Sequence, residues 1–253
     1  MKNQWTATSE KGGKKYAYAP RLPQYNQIND FLMQGRSRLF QYYKNDIYKY
    51  KDQLDITADE IRMGINSANE QKRAYNAETD EHLYALLNDD INIKNNIVVI
   101  QGCSTPWYAC IALAYGAKGV VIVTDRDVVC SDERVVIAKP EQVKEGFADY
   151  AMSICELQSL GLGRYGDMTE PDADVAMMGV IRKTLKPNGR LFLSIPCGAD
   201  MIVFNLNRIY GRHRLKKLME GWTLRGSLGW DAKLSKRWTT DAKYKPLFIL
   251  EKQ

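Results

Sequence analysis

Residues Ser153 to Asp167 read SICELQSLGLGRYGD, Leu185 to Gly198 read LKPNGRLFLSIPCG, and Phe204 to Gly211 read FNLNRIYG. Gly161, Gly163 and Gly166 crowd into one short stretch, with Arg164, Tyr165 and Asp167 between and after them. Glycines this dense let the backbone take positive φ and approach a ligand closely. The middle segment reads as a helix end, a Pro-Asn-Gly turn and an apolar strand ending at Ile195. Ala148 to Ile154 supplies another strand just ahead of the glycine cluster. In open α/β sheets ligands bind beyond the carboxyl ends of strands. The polar residues that follow these two strands are therefore the first site candidates.

Upstream, Ile97-Val98-Val99-Ile100 is an apolar run suited to a parallel strand buried on both faces. Gly102 to Trp107 follows as a turn, and Pro106 is well placed to open a helix that Gly116 stops. Val120 to Val123 is a second strand, ending in Thr124-Asp125. This βαβ unit is the half-motif of a nucleotide-binding fold. Val135 to Ala138 is a third strand. Asp174 to Leu185 and Arg214 to Met219 read as helices. Thr223 to Trp230 and Pro246 to Glu251 are joined by a basic loop too short for a helical crossover, so they pair antiparallel. The expected fold is α/β: a Rossmann-like doubly wound sheet of about seven strands with a terminal antiparallel pair.

The N-terminal part differs in character. Residues 1–25 are polar, with Gly12-Gly13, Pro20 and Pro23, and read as a mobile arm. Ile28, Leu32, Leu39, Tyr43, Ile47 and Tyr50 recur at helical spacing and predict one helix with a buried face. Thr57 and Glu60 form a capping box that starts a helix running to Asn69, and Asp80 to Leu87 is a further helix. The expected organisation is an arm over 1–25, a helical extension over 26–95 and a Rossmann-like domain over 96–253.

The chain has 253 residues, 45% of them hydrophobic, with five cysteines, two histidines and a net charge of +6. An odd number of cysteines, mostly in apolar patterns, reads as reduced thiols in a cytoplasmic protein. The start lacks the apolar stretch of a secretory signal, and no apolar run is long enough to span a membrane. With two histidines and no paired cysteine motif, no metal site is expected. Residues 1–50 carry +6, residues 51–200 carry −8 and residues 201–253 carry +8. Such basic ends suit an anionic partner, whether nucleic acid, a membrane surface or a phosphorylated substrate.

Three features match an adenosine-type ligand. The turn Gly102, Cys103, Ser104, Thr105 opens a helix whose first amides favour polar or anionic groups. Asp125, ending the second strand, can accept hydrogen bonds from both ribose hydroxyls. Asp149 to Ser153 and the Gly161–Asp167 loop are read as lying past the fourth strand, across the switch point. No lysine follows the first turn in a phosphate-loop pattern, so phosphoryl transfer from a nucleoside triphosphate is disfavoured. Asp167, Glu156 and His213 are the candidate bases. Arg164 and Arg208 are candidates for binding a carboxylate or phosphate of the substrate, with Tyr165 and Asn205 beside them.

Together these features resemble class I S-adenosylmethionine-dependent methyltransferases, whose "LKPGG, strand, P" element is similar to Leu185 to Pro196. GCSTPWY (Gly102 to Tyr108), YGAKGV (Tyr115 to Val120), GLGRYGD (Gly161 to Asp167), PCGAD (Pro196 to Asp200) and FNLNRIYGRHRL (Phe204 to Leu215) resemble more closely an uncharacterised family of unknown function with a methyltransferase-like fold. The resemblance covers roughly residues 96–230. It implies S-adenosylmethionine as cofactor and a small-molecule or glycan-type acceptor. Where that family has a Glu-His pair before GLGRYGD, this chain has Gln158-Ser159, and Ala109 stands where an acidic residue is usual. These departures motivate the alternative of a non-catalytic Rossmann-like binding module. A second alternative is a nucleic-acid-associated protein using the basic ends and the tyrosines of the 28–50 helix.

Overall fold

The computed structural model describes residues 8–11 and 14–253. Seven strands form the main sheet: β1 (Ile97–Gln101), β2 (Gly119–Val123), β3 (Val135–Ala138), β4 (Ala148–Ile154), β5 (Leu185–Ser194), β6 (Trp222–Leu228) and β7 (Leu247–Lys252). Their spatial order is β6-β7-β5-β4-β1-β2-β3. β1 to β5 run parallel, and β7 runs antiparallel to both β5 and β6. This is a doubly wound Rossmann-like sheet, with its antiparallel strand one place in from the edge.

Alternation along the buried strands divides the core between two faces. Val98, Ile100, Ile122 and Met152 face one side, where helices Ala77–Asp89 and Trp107–Ala114 cover them. Val99, Ala151, Leu191 and Leu193 face the other, under helix Ala173–Thr184. Helix Trp107–Ala114 is buried all round, because helix Ala58–Asn69 packs over it. A Cβ at Gly64 would collide with the Cys110 sulfur, so glycine sets that close approach. The capping box of Thr57 and Glu60 is formed in full. No helix among the described residues is long and apolar enough to cross a membrane.

The 28–50 segment is not one helix. Helix Ile28–Phe31 stops where Met33, Gln34 and Gly35 all adopt positive φ. The chain then forms a strand, Arg38–Gln41, which pairs in parallel with Met201–Phe204, before a short helix Ile47–Lys51. Distant strand pairing overrides local periodicity here. The helical extension is also threaded by Leu54–Ile56, which pairs with Val128–Cys130. Of the expected mobile arm, residues 1–7 and 12–13 lie outside the described residues. Thr8–Lys11 and Lys14–Ala17 pair as an antiparallel hairpin, and Ala19 is buried.

Candidate functional site

β1 and β4 are adjacent, and their carboxyl ends release the chain into two sharp turns. Gly102 leaves β1 with φ +82°, and Cys155 leaves β4 with φ +58°, rare for a residue with a side chain. The Cys155 amide donates to the Ser194 carbonyl at 2.8 Å, which holds this turn against β5. The next residue, Glu156, lays its side chain over Gly102. A Cβ on Gly102 would come within 2.6 Å of Glu156 Cγ and Cδ, so the contact requires glycine. The Glu156 carboxyl accepts from the amide and hydroxyl of Ser104. Burial nevertheless dominates those hydrogen bonds and raises its pKa to about 7.

This carboxyl borders a cavity of about 330 Å³, lined among others by Tyr75, Ser104, Cys155, Gln158, Tyr165 and Lys245. The Tyr75 hydroxyl bonds Ser104, so Tyr75, Ser104 and Glu156 form one polar chain. Burial holds the Cys155 thiol at about 11 despite the neighbouring Lys245 ammonium, so it is protonated at neutral pH. On the other side of the Gly102 turn, Asp125 is exposed at the end of β2. Partial burial, and then the charges of Glu141 and Asp167, raise its pKa. Next to it, Arg126 donates to the carbonyls of Cys103 (3.3 Å) and Lys49 (2.9 Å), tying the N-terminal segment to the turn. Cys103 itself is buried, and Thr105 lies beyond Ser104 at the helix start.

The glycine-rich loop is built to hold a shape. Gly161, Gly163 and Gly166 all have positive φ. The Asp167 carboxylate accepts from the amides of Gly163 and Tyr165, both at 3.3 Å, and so braces its own loop. A Cβ on Gly161 would run into the Glu170 carbonyl oxygen. Gly161→Ala is therefore expected to destabilise the chain by about 1–3 kcal/mol, read as a shift in the urea midpoint. A loss under about 0.5 kcal/mol would mean the loop relaxes freely.

Several sequence candidates fall elsewhere. Arg208 is fully buried and donates to the carbonyls of Leu160, Glu170 (3.2 Å) and Pro171 (3.1 Å). It clamps the glycine-rich loop from below and does not reach a substrate. Asn205 is buried, accepts from the Lys44 amide through its side chain at 2.9 Å and donates through its backbone N–H to the Tyr42 carbonyl. Together the two bonds fasten the N-terminal segment. Arg164 lines the cavity, but its guanidinium is held by Asp46 at 2.7 Å, which keeps Asp46 below the usual carboxylate range. His213 is exposed in helix Arg212–Leu218 and lines a different groove, with Gln27, Arg36 and Lys217. Asp149 sits at the amino end of β4, paired with Lys186 at 2.8 Å, on the opposite edge of the sheet. The carboxyl-end rule excludes it from the site.

Tyr75, Asn76 and Lys245 were not among the sequence candidates. They come from segments that precede helix Ala77–Asp89 and β7, far from the strand exits searched. Among the described residues no group of three His, Cys, Asp or Glu side chains could hold a metal ion.

The family model described as "Caenorhabditis protein of unknown function, DUF268" matches residues 94–245. None of the curated proteins compared matches the chain. Among solved structures, the Burkholderia thailandensis 1,6-didemethyltoxoflavin-N1-methyltransferase, with bound 1,6-didemethyltoxoflavin and S-adenosylhomocysteine, is 15% identical. It aligns over 97% of this chain and 99% of its own, with a TM-score of 0.48. An S-adenosylmethionine-dependent methyltransferase of Mesorhizobium loti is 12% identical, over 67% of this chain and 96% of its own, with a TM-score of 0.44. A Lactococcus lactis protein that carries a hemolysin name is 16% identical, over 68% and 85%, with a TM-score of 0.44.

Proposed function

The chain belongs to the DUF268 family, and from that premise we propose that it is a S-adenosylmethionine-dependent methyltransferase-like protein acting on a small-molecule or glycan-type acceptor. The observation that carries this reading is the placement of Asp125 and Glu156 on either side of the Gly102 turn, at the carboxyl ends of β2 and β4. Asp125 has no side-chain ion pair among the described residues, and its exposed carboxylate fits the two hydroxyls of a ribose. Glu156 supplies negative charge beside the turn, where a cationic sulfonium and ammonium are well accommodated. The residues therefore fit this cofactor, which when bound supplies an activated methyl group.

The rest of the chemistry belongs to the chain. The cavity holds the acceptor against Glu156, since displacement at a methyl carbon depends chiefly on alignment. Near neutral pH an appreciable fraction of Glu156 is ionised, and its carboxylate takes the proton of an acceptor hydroxyl or amine. Ser104 keeps that carboxyl oriented, and the Asp46–Arg164 ion pair holds the N-terminal segment beside the cavity. The tyrosines that a nucleic-acid reading needs do not share one helix: Tyr42 and Tyr43 precede helix Ile47–Lys51, and Tyr43 lies under the Arg21 guanidinium at 4.6 Å.

Calorimetry with S-adenosylmethionine and S-adenosylhomocysteine tests the reading. The expected result is micromolar binding that weakens at least about tenfold in Asp125→Ala, the loss of one charge-assisted bidentate contact. No binding at millimolar ligand would overturn it. Binding without turnover across a panel of sugar and small-molecule acceptors would favour the non-catalytic module instead.

A further inference from the structure

Lys245 enters the cavity from the C-terminal part of the chain, two residues before β7. Its Nζ donates to Asn76 Oδ1 at 2.9 Å and faces the Cys155 thiol. The Lys245 carbonyl accepts from Ser194 Oγ at 3.3 Å, which fixes the start of the side chain against β5. No carboxylate pairs with this half-buried ammonium among the described residues. The other cation on the cavity wall, Arg164, is already held by Asp46. A partly desolvated cation without a counter-ion favours an anion beside it.

Two neighbours add to this. Asn76 is the N-cap residue of helix Ala77–Asp89, yet its side chain makes no capping bond. Instead it donates to the Tyr108 hydroxyl and accepts from Lys245. That helix begins at the cavity wall, where its dipole also favours negative charge. Gln158 bonds the Cys155 carbonyl through its amide nitrogen, and its Oε1 is buried without a donor. An unsatisfied buried acceptor takes a hydroxyl or amine readily. At about 330 Å³ the cavity is at the small end of ligand pockets, room for one sugar-sized unit.

We propose that the Lys245 end of the cavity is an anion subsite, and that the acceptor is a small polyhydroxy compound carrying a carboxylate or phosphate, with Lys245 on the anion and Gln158 on a hydroxyl. This rests on the cavity being the acceptor site. The test titrates the full chain with D-glucuronate, with glucose 1-phosphate and with neutral glucose, each with and without saturating S-adenosylhomocysteine, and reads Kd by calorimetry. At least one anion is expected to bind in the millimolar range or tighter. It should weaken at least about tenfold in Lys245→Met and recover in Lys245→Arg, while the response to glucose stays the same in all three proteins. The anion that responds decides between carboxylate and phosphate. Wild-type protein that binds neither anion at about 50 mM overturns the proposal, as does anion binding unchanged in Lys245→Met. Lys245-dependent anion binding without S-adenosylhomocysteine binding would remove the cofactor reading and leave the subsite standing. The reverse pattern would remove the subsite alone.

Discussion

Asp174→Ala is expected to lower the free energy of unfolding by about 3–5 kcal/mol, a large part of the roughly 5–15 kcal/mol of a typical domain. Asp174 is fully buried at the start of helix Ala173–Thr184. It accepts from Arg214 through two nitrogens, from the Tyr210 hydroxyl at 3.0 Å, and lies 3.8 Å from Arg208 Nε. Removing it strands two buried guanidinium groups on one wall of the core. Arg208 would still have its carbonyl acceptors, but no negative charge would remain beside it. Arg214 would keep the Pro171 carbonyl at 2.7 Å and, as its one carboxylate, Asp172, which is 45% exposed and shared with Lys217. Asp172→Ala, in the solvent-facing half of the same network, should therefore cost only about 1 kcal/mol or less. Urea unfolding of the two variants side by side gives the comparison. Similar losses from both would mean that the buried cluster is not a unit.

Glu156→Gln is expected to lower methyl transfer by about 10²–10⁴-fold, the size of a lost general base, and by more than it weakens S-adenosylhomocysteine, whose ammonium loses only a neighbouring charge. Its signature in pH comes from the raised pKa. In the wild type the base form appears as pH rises through about 7, so the rate should climb across that region. The linked effect on stability has the opposite direction. Between about 4.5 and about 7 the folded chain keeps a proton that the unfolded chain has released. Stability is thus full below pH 4.5 and falls as pH rises towards 7, by up to about 3 kcal/mol. Glutamine cannot ionise, so the variant should match wild type at pH 5 and exceed it at pH 8. A parallel decline in both proteins would show that Glu156 is solvated in solution.

The central strands were readable because burial on both faces, as at Ile97–Gln101 and Ala148–Ile154, leaves apolar runs that little else explains. The short strands were not readable. Arg38–Gln41, Leu54–Ile56 and Met201–Phe204 span three or four residues and exist because a distant partner lies beside them. At the site, the rule that ligands gather at carboxyl ends led to Gly102, Ser104, Asp125 and Glu156, which do surround one turn. It failed for Arg208 for a physical reason. An arginine clamping carbonyl oxygens leaves no trace in sequence, because every residue carries the acceptor it uses. Asn205, expected beside the substrate, was misplaced for the same reason, since its partners are the backbone of Tyr42 and Lys44. The departure at Gln158 now has a concrete meaning: the amide nitrogen holds the Cys155 turn, and the Oε1 is left buried without a donor.

Arg38–Gln41 pairs with Met201–Phe204, and this sets a schedule for making the protein. On the ribosome the first strand emerges roughly 160 residues before its partner exists, about 8–30 s at ordinary elongation rates. Asp46 likewise waits for Arg164, and Tyr42 for Phe204 and Asn205. During that interval the N-terminal segment is an open edge on a growing chain, available to chaperones and to neighbouring nascent chains. A message broken before codon 201 would release a product whose Arg38–Gln41 segment has no strand to join, so quality control could recognise it by that open edge.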